Sequence, residues 1–258
     1  MSHIDAAFTL IGGPTLLIEI GGFRLLTDPT FDPPGSYQSG AVTLQKKVGP
    51  ALSIEELGRI DGILLSHDQH FDNLDHAGRA FLDDSPTVLT TPIGANRLGK
   101  NARGLAPWET AELTRADGNK LQVTGTPARH GPIGIEPIAG EVVGFLLGVQ
   151  TPGDLIYVTG DTVWYEGVAE VARRFQPRLV ILFAGSAKTR GAFHLTMDSN
   201  DAIETAHAFK TAQIIAVHTD GWAHFTESGV DLRNAFETLG LGIRLRTLTA
   251  GIREAITL

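Results

Sequence analysis

A chain of 258 residues, 42% hydrophobic and 19% charged, has an ordinary globular composition and enough apolar material for a sizeable core. Its net charge of −8 without a run of lysine or arginine argues against a nucleic-acid partner, and the absence of cysteine removes disulfides, thiolate ligands and cysteine nucleophiles together. No apolar run approaches the ~18–20 residues needed to span a membrane, and the opening MSHIDAAFTLIGGPTLLIEIGG lacks the marks of a signal peptide, so a cytoplasmic protein is expected.

The first third reads as short strands, AAFTLIG, TLLIEIGG and FRLLTDP, with Gly21-Gly22 as a hairpin turn between two of them. A polar, proline-containing stretch (32–50) follows without a predicted element. SIEEL then predicts a short helix capped by Ser53, with Glu56 three residues on, and DGILLS predicts a buried strand. Leu74, Ala77, Phe81 and Leu82 have helical spacing over 73–83, and a strand at TVLTT and a short helix over 93–100 come next.

Three further strands are KLQVTGTPA, VVGFLLGV and DLIYVTGDT. From there helices and strands alternate: GVAEVARRF, RLVILFAG, SNDAIETAHAF, QIIAVH, VDLRNAFETLG and IRLRTL. The helix over SNDAIETAHAF gathers Ala202, Ile203, Ala206 and Phe209 on one face. Hairpins followed by an alternating section, without a linker or repeat, predict one layered α/β domain over residues 1–258 and disfavour an all-parallel barrel.

Four apolar runs end in residues that can ligate a metal. GILLS leads into His67, Asp68, His70 and Asp72; LQVTGTPAR ends in His130; LIYVTG ends in Asp161; and IIAVH ends in His218. Each has a plain alternative alone: a solvated loop for 67–72, a loop histidine beside Gly131-Pro132, a turn cap in TGDT, and a satisfied strand-end histidine. Their recurrence at successive strand ends is what points to a shared centre, and imidazoles with carboxylates suit zinc, manganese or iron. A serine triad is not supported, because no GXSXG is present and AGSAK keeps only one flanking glycine in frame.

SHDQHFDNLD, PARH, TGDT and VH, in that order, resemble the metallo-β-lactamase fold superfamily. GGPTLLIEIGGFRLLTDPTF and AFHLTMDSNDA resemble its branch of ascorbate-phosphate lactonases and phospholipase-D-type N-acylethanolamine hydrolases. The resemblance runs along nearly the whole chain and implies an αββα sandwich of two mixed sheets with helices outside. It also implies a loop of the form His-x-His-x-Asp-His. There the first two histidines and a downstream histidine hold one metal, and the loop aspartate, last loop histidine and final histidine hold a second. An aspartate bridges the two. His70, Asp72, His130, Asp161 and His218 take these places directly.

Two positions depart from the pattern. His67 stands one residue too far from His70, so either His67 with a local bulge or Asp68 at regular spacing is the first ligand; His67 is favoured because it follows the buried strand directly. Asn73 replaces the last histidine, and a neutral amide is a weak ligand, so one tight and one weaker or empty site for Zn2+ or Mn2+ are expected. His76 is a substitute donor or an exposed or orienting histidine.

The chemistry expected is hydrolysis by a metal-activated hydroxide, with Asp72 moving its proton, on a small ester, lactone or phosphodiester. Asp28 in TDP is a candidate to fix a ligand imidazole, or a turn residue. His194 faces the pocket or enters a helix beside its cap Thr196. Trp164, Tyr165, Trp222, His224 and Phe225 line a substrate pocket or pack internally, and Lys188 and Arg190 receive an anionic group or are solvated. A non-catalytic metal-binding protein is the alternative reading, a nuclease the third, and a homo-oligomer is what the resemblance implies.

Overall fold

The computed structural model describes residues 4–149 and 151–258; the first three residues, which open the stretch read for a leader, and Gln150 lie outside the described residues. The chain begins with three antiparallel strands, β1 (Asp5–Gly12), β2 (Thr15–Ile20) and β3 (Phe23–Thr27). Gly21 and Gly22 form the turn between the last two at φ 56° and 83°, a left-handed pair that glycine adopts without strain. The stretch without a predicted element folds into a separate hairpin, β4 (Gly35–Ser39) with β5 (Val42–Lys46).

Helix α1 (Ile54–Leu57) carries the expected capping box of Ser53 and Glu56. Strand β6 (Gly62–Leu64) then pairs parallel to β3. Helix α2 (His76–Phe81) starts later than the predicted 73 because the Asp75 side chain accepts from the Gly78 amide and caps it there. Strand β7 (Val88–Thr90), helix α3 (Pro92–Leu98) and strand β8 (Ala102–Gly104) finish this half.

The second half repeats the plan. Strands β9 (Thr110–Thr114) and β10 (Lys120–Pro127), helix α4 (Glu136–Ala139), and strands β11 (Val143–Gly148) and β12 (Ile156–Val158) come first. Helix α5 (Glu166–Arg174), β13 (Leu179–Phe183), α6 (Ser199–Ala208), β14 (Gln213–Val217), α7 (Gly229–Thr238) and the two-residue β15 (Leu245–Arg246) follow. Helix α6 is capped by Asp198, not Thr196, because the Asp198 carboxylate reaches the Asp201 amide. A last strand, β16 (Arg253–Thr257), returns to pair with β1.

The strands form two seven-stranded mixed sheets, β16-β1-β2-β3-β6-β7-β8 and β15-β14-β13-β12-β11-β10-β9. Period-two alternation assigns their faces. Leu16, Ile18 and Ile20 of β2 meet Phe145 of β11, Val158 of β12 and Phe183 of β13 between the sheets. The intervening Leu17 packs outward with Ile63 and Phe81. On the other outer face Tyr157, Val180 and Leu182 are covered by Val171, Ala206 and Phe236 from α5, α6 and α7. The result is four layers, αββα, with both sheets buried on both faces.

Candidate metal centre

Strands β10, β12, β13 and β14 run in one direction, since β11 is antiparallel to both β10 and β12 and the rest pair parallel. Their following loops therefore open on one edge of the sandwich. His130, Asp161 and His218 stand on three of these loops, and the loop after β6 brings His67, His70 and Asp72 from the facing sheet. Gly160 allows the close approach: at φ +62°, a Cβ there would lie 2.9 Å from the Ser66 Cβ and 2.9 Å from the Val143 carbonyl.

Three ring nitrogens converge. His70 Nδ1 lies 2.8 Å from His67 Nε2 and 3.2 Å from His130 Nε2. Hydrogen bonds behind two rings set their tautomers. His130 Nδ1 is 2.8 Å from the Leu195 carbonyl, which only accepts, so Nδ1 carries the proton and Nε2 presents its lone pair. Behind His67, the Ser66 hydroxyl donates to Asp28 Oδ1 at 2.7 Å and accepts from His67 Nδ1 at 2.9 Å. Asp28 also accepts the Ser66 amide at 2.8 Å.

Asp161 turns one oxygen to each side. Its Oδ2 is 3.5 Å from His130 Nε2 and 4.0 Å from His67 Nε2, while Oδ1 is 3.6 Å from His218 Nε2. Asp72 Oδ2 lies 3.6 Å from His218 Nε2 and 2.8 Å from His224 Nε2. Both Asp161 oxygens, Asp72 Oδ1 and both His218 nitrogens are buried without a hydrogen-bond partner among the described residues. Buried polar atoms rarely stay unpaired, since each costs on the order of 1–3 kcal/mol. Lone pairs aimed at common points with no proton between them fit a divalent cation, and imidazole with carboxylate is the donor set of borderline metals. Of these groups, among the described residues, only His67, His70 and His130 bring three donor atoms within 4.8 Å of one another.

The electrostatics agree with this chemistry. Burial, reinforced by the neighbouring His130 ring, pushes His70 down to about 4, and burial holds His67 well below the usual histidine value. Both rings are therefore neutral near pH 7. Burial opposes the Asp72 carboxylate, yet His224 and His218 outweigh it and hold its carboxyl well below the usual range.

The remaining sequence candidates separate clearly. Asp68 is turned away: its carboxylate is held by Arg97 and its backbone carbonyl by Arg79 at 2.6 Å, and of the two residues it is His67 that turns a ring nitrogen to His70. Asn73 is fully buried with both amide ends unpartnered among the described residues. His194 lies outside the cluster, bonded to Asp201 at 3.0 Å, which raises its pKa. Trp164 and Tyr165 pack beneath α5, the latter under the Arg129 guanidinium at 4.4 Å, and neither lines the cleft. Trp222 is buried against Tyr37 and Leu44, and His76 stacks on Tyr37 and Phe71 at the surface.

A cleft opens over the cluster, with His70, Asp72, His130 and His224 on its floor. Its walls are Val42 and Leu44 from the β4–β5 hairpin, Leu195, and Thr189 with Arg190. Arg190 is exposed and unpaired with any carboxylate among the described residues, whereas Lys188 does not line the cleft. Sequence reasoning omitted Ser66 and the hairpin wall. The alternation Val42, Leu44, Lys46 was the available signal for the latter.

Residues 23–219 match the family profile of the beta-lactamase superfamily domain. A Bacillus subtilis UPF0173 protein, YddR, is 24% identical over 88% of this chain and 90% of its own. An Aeropyrum pernix UPF0173 metal-dependent hydrolase is 25% identical over 83% of this chain and 82% of its own. Among solved structures, an isothiocyanate hydrolase from Delia radicum gut bacteria superposes with a TM-score of 0.81 at 24% identity, covering 98% of this chain and 100% of that one. That last likeness is one of fold.

Proposed function

The chain belongs to the beta-lactamase superfamily domain family, and from that membership we propose that it is a metal-dependent hydrolase of a small ester, lactone or phosphodiester. The observation that carries the reading is the convergence of His67, His70 and His130 with an Asp161 whose two oxygens face opposite donor groups. The hydrolase name of the Aeropyrum pernix relative supports it. In this reading His67, His70, His130 and Asp161 hold one Zn2+ or Mn2+ tightly, and Asp161, Asp72 and His218 form a second, weaker position. A divalent cation bound there supplies Lewis acidity and acidifies water to near neutral pH.

The chain's own groups do the rest. Asp72, which lines the cleft with Oδ2 2.8 Å from His224, is placed to take the proton. Val42, Leu44 and Leu195 exclude water around the apolar part of a substrate, and Arg190 receives an anionic end.

The test combines metal analysis of the purified protein with a substrate panel of esters, lactones and phosphodiesters. An isothiocyanate joins the panel because a neighbour of the same fold acts on one. Turnover is expected with at least one substrate, and His70→Ala or Asp161→Ala should abolish both that turnover and tight metal retention. Metal-loaded protein that stays inert across the panel would overturn the hydrolase reading in favour of a non-catalytic metal-binding protein, the alternative to which the buried Asn73 points.

A further inference from the structure

The second position, as described, has two carboxylates and one imidazole, and Asn73 adds only a neutral amide. A second imidazole nevertheless reaches it. His224 Nε2 lies 2.8 Å from Asp72 Oδ2, the spacing that separates His67 and His70 in the tight cluster. The donors form an unbroken run: Asp161 Oδ1 to His218 at 3.6 Å, His218 to Asp72 Oδ2 at 3.6 Å, and Asp72 Oδ2 to His224 at 2.8 Å. The His224 side chain is 9% exposed, and its other ring nitrogen is buried without a partner among the described residues.

The loop is built to hold this ring. The Ala223 amide donates to the Gln45 carbonyl of the hairpin at 2.9 Å, and the His224 carbonyl accepts from the Lys188 amide at 3.0 Å. Trp222 on one side is packed against Tyr37 and Leu44. Phe225 on the other packs edge-to-face at 4.6 Å against both the His218 and the His224 rings. Each residue flanking His224 is thus fixed by a different element, and the imidazole between them is aimed at Asp72. It stands six residues after His218 in the chain.

We propose that His224 is a metal ligand of the second position, supplying the nitrogen donor that Asn73 does not. An imidazole is a far stronger donor to zinc or manganese than a neutral amide. The second position is then built from Asp72, Asp161, His218 and His224, and is populated. This rests on the reading of the cleft floor as a metal centre.

The test titrates chelator-stripped protein with Zn2+ and with Co2+, counting bound equivalents after gel filtration and following the Co2+ absorption bands. The wild-type chain is expected to bind two equivalents. His224→Ala and His224→Gln should keep the first with unchanged affinity and weaken the second at least about tenfold. The glutamine variant separates the two roles open to His224: its amide still donates to Asp72, so a residue that merely orients Asp72 leaves the second equivalent intact. Retention of both equivalents at wild-type affinity in His224→Gln, or a wild-type chain that saturates at one, overturns the proposal. A wild-type chain that binds no metal, or a His70→Ala variant with undiminished binding, overturns the metal centre itself and is a separate failure.

Discussion

At the scale of the residue, the centre depends on groups that never touch its floor. The Asp28 carboxylate fixes the Ser66 hydroxyl, and Ser66 fixes the ring of His67, so one hydrogen-bond chain determines which nitrogen His67 presents. Asp28 stands at φ 27°, an uncommon value for a residue with a side chain, and its amide donates to the Leu64 carbonyl at the end of β6. Ser66→Ala removes the acceptor for His67 Nδ1 while leaving the Asp28–Ser66 amide bond. It should weaken metal at the first position by about 10–100-fold, with an unchanged circular dichroism spectrum; unchanged affinity in a competition titration would show that the chain does not orient His67. The same corner marks where sequence reading stops. Spacing alone allowed His67 or Asp68, and what separates them is Arg97, 29 residues downstream, which binds the Asp68 carboxylate. A long-range ion pair leaves no trace in the spacing of a loop.

At the scale of the element, the β4–β5 hairpin is the part least legible in the chain. Its strands belong to neither main sheet, so no continuous apolar run announces them, and the residue that completes the Val42, Leu44 alternation is a lysine. That lysine is the anchor. Lys46 Nζ lies 3.0 Å from Asp75 Oδ2, both side chains at most 4% exposed. Asp75 in turn accepts the Phe31, Asp32 and Gly78 amides, so one carboxylate joins the hairpin, the loop after β3 and the start of α2. Removing one partner of a buried pair costs on the order of 3–5 kcal/mol, and the three remaining amides place Lys46→Met near the lower end, about 3 kcal/mol. The hairpin also walls the cleft, so the variant should raise KM more than it lowers kcat. Denaturant unfolding and steady-state kinetics check the two parts, and a variant with wild-type stability would mean that Asp75 is satisfied without the lysine. The helices and strands that were legible include β1 to β3, β6, β7, β10 to β15, α2, α3 and α5 to α7, whose apolar residues are buried in the main layers, and α1, announced by its capping box.

At the scale of the molecule, two sheets of like order face each other, and their loops bring buried titratable groups to one edge. The layers were legible because hairpins and alternating units imply them; the convergence was legible only as an order of strand ends, since distances between loops are set by packing. Without a cation, this edge concentrates neutral imidazoles and unpartnered carboxylate oxygens, which opposes folding. A ligand bound only by the folded state stabilises it by about 4 kcal/mol at a thousandfold excess over its Kd, so stripping metal should lower Tm. The stripped protein should then show a pH dependence of definite sign. His70 is held near 4 in the fold but titrates near 6.5 in an unfolded chain. Between these values the unfolded state binds the extra proton, so the contribution is fully present above about pH 6.5 and is lost as pH falls toward 4. From pH 7 to pH 5 the loss from His70 alone is on the order of 2 kcal/mol, and His67, depressed by burial, shifts the same way. Thermal melts of chelated protein across this range should show the decline, and His70→Gln should flatten it. Asp28, raised by burial, and His194, raised by Asp201, act in the opposite sense, so the difference between the two proteins carries the test: a His70→Gln variant whose stability falls from pH 7 to pH 5 as steeply as that of the wild type would mean that His70 is not held neutral by the fold.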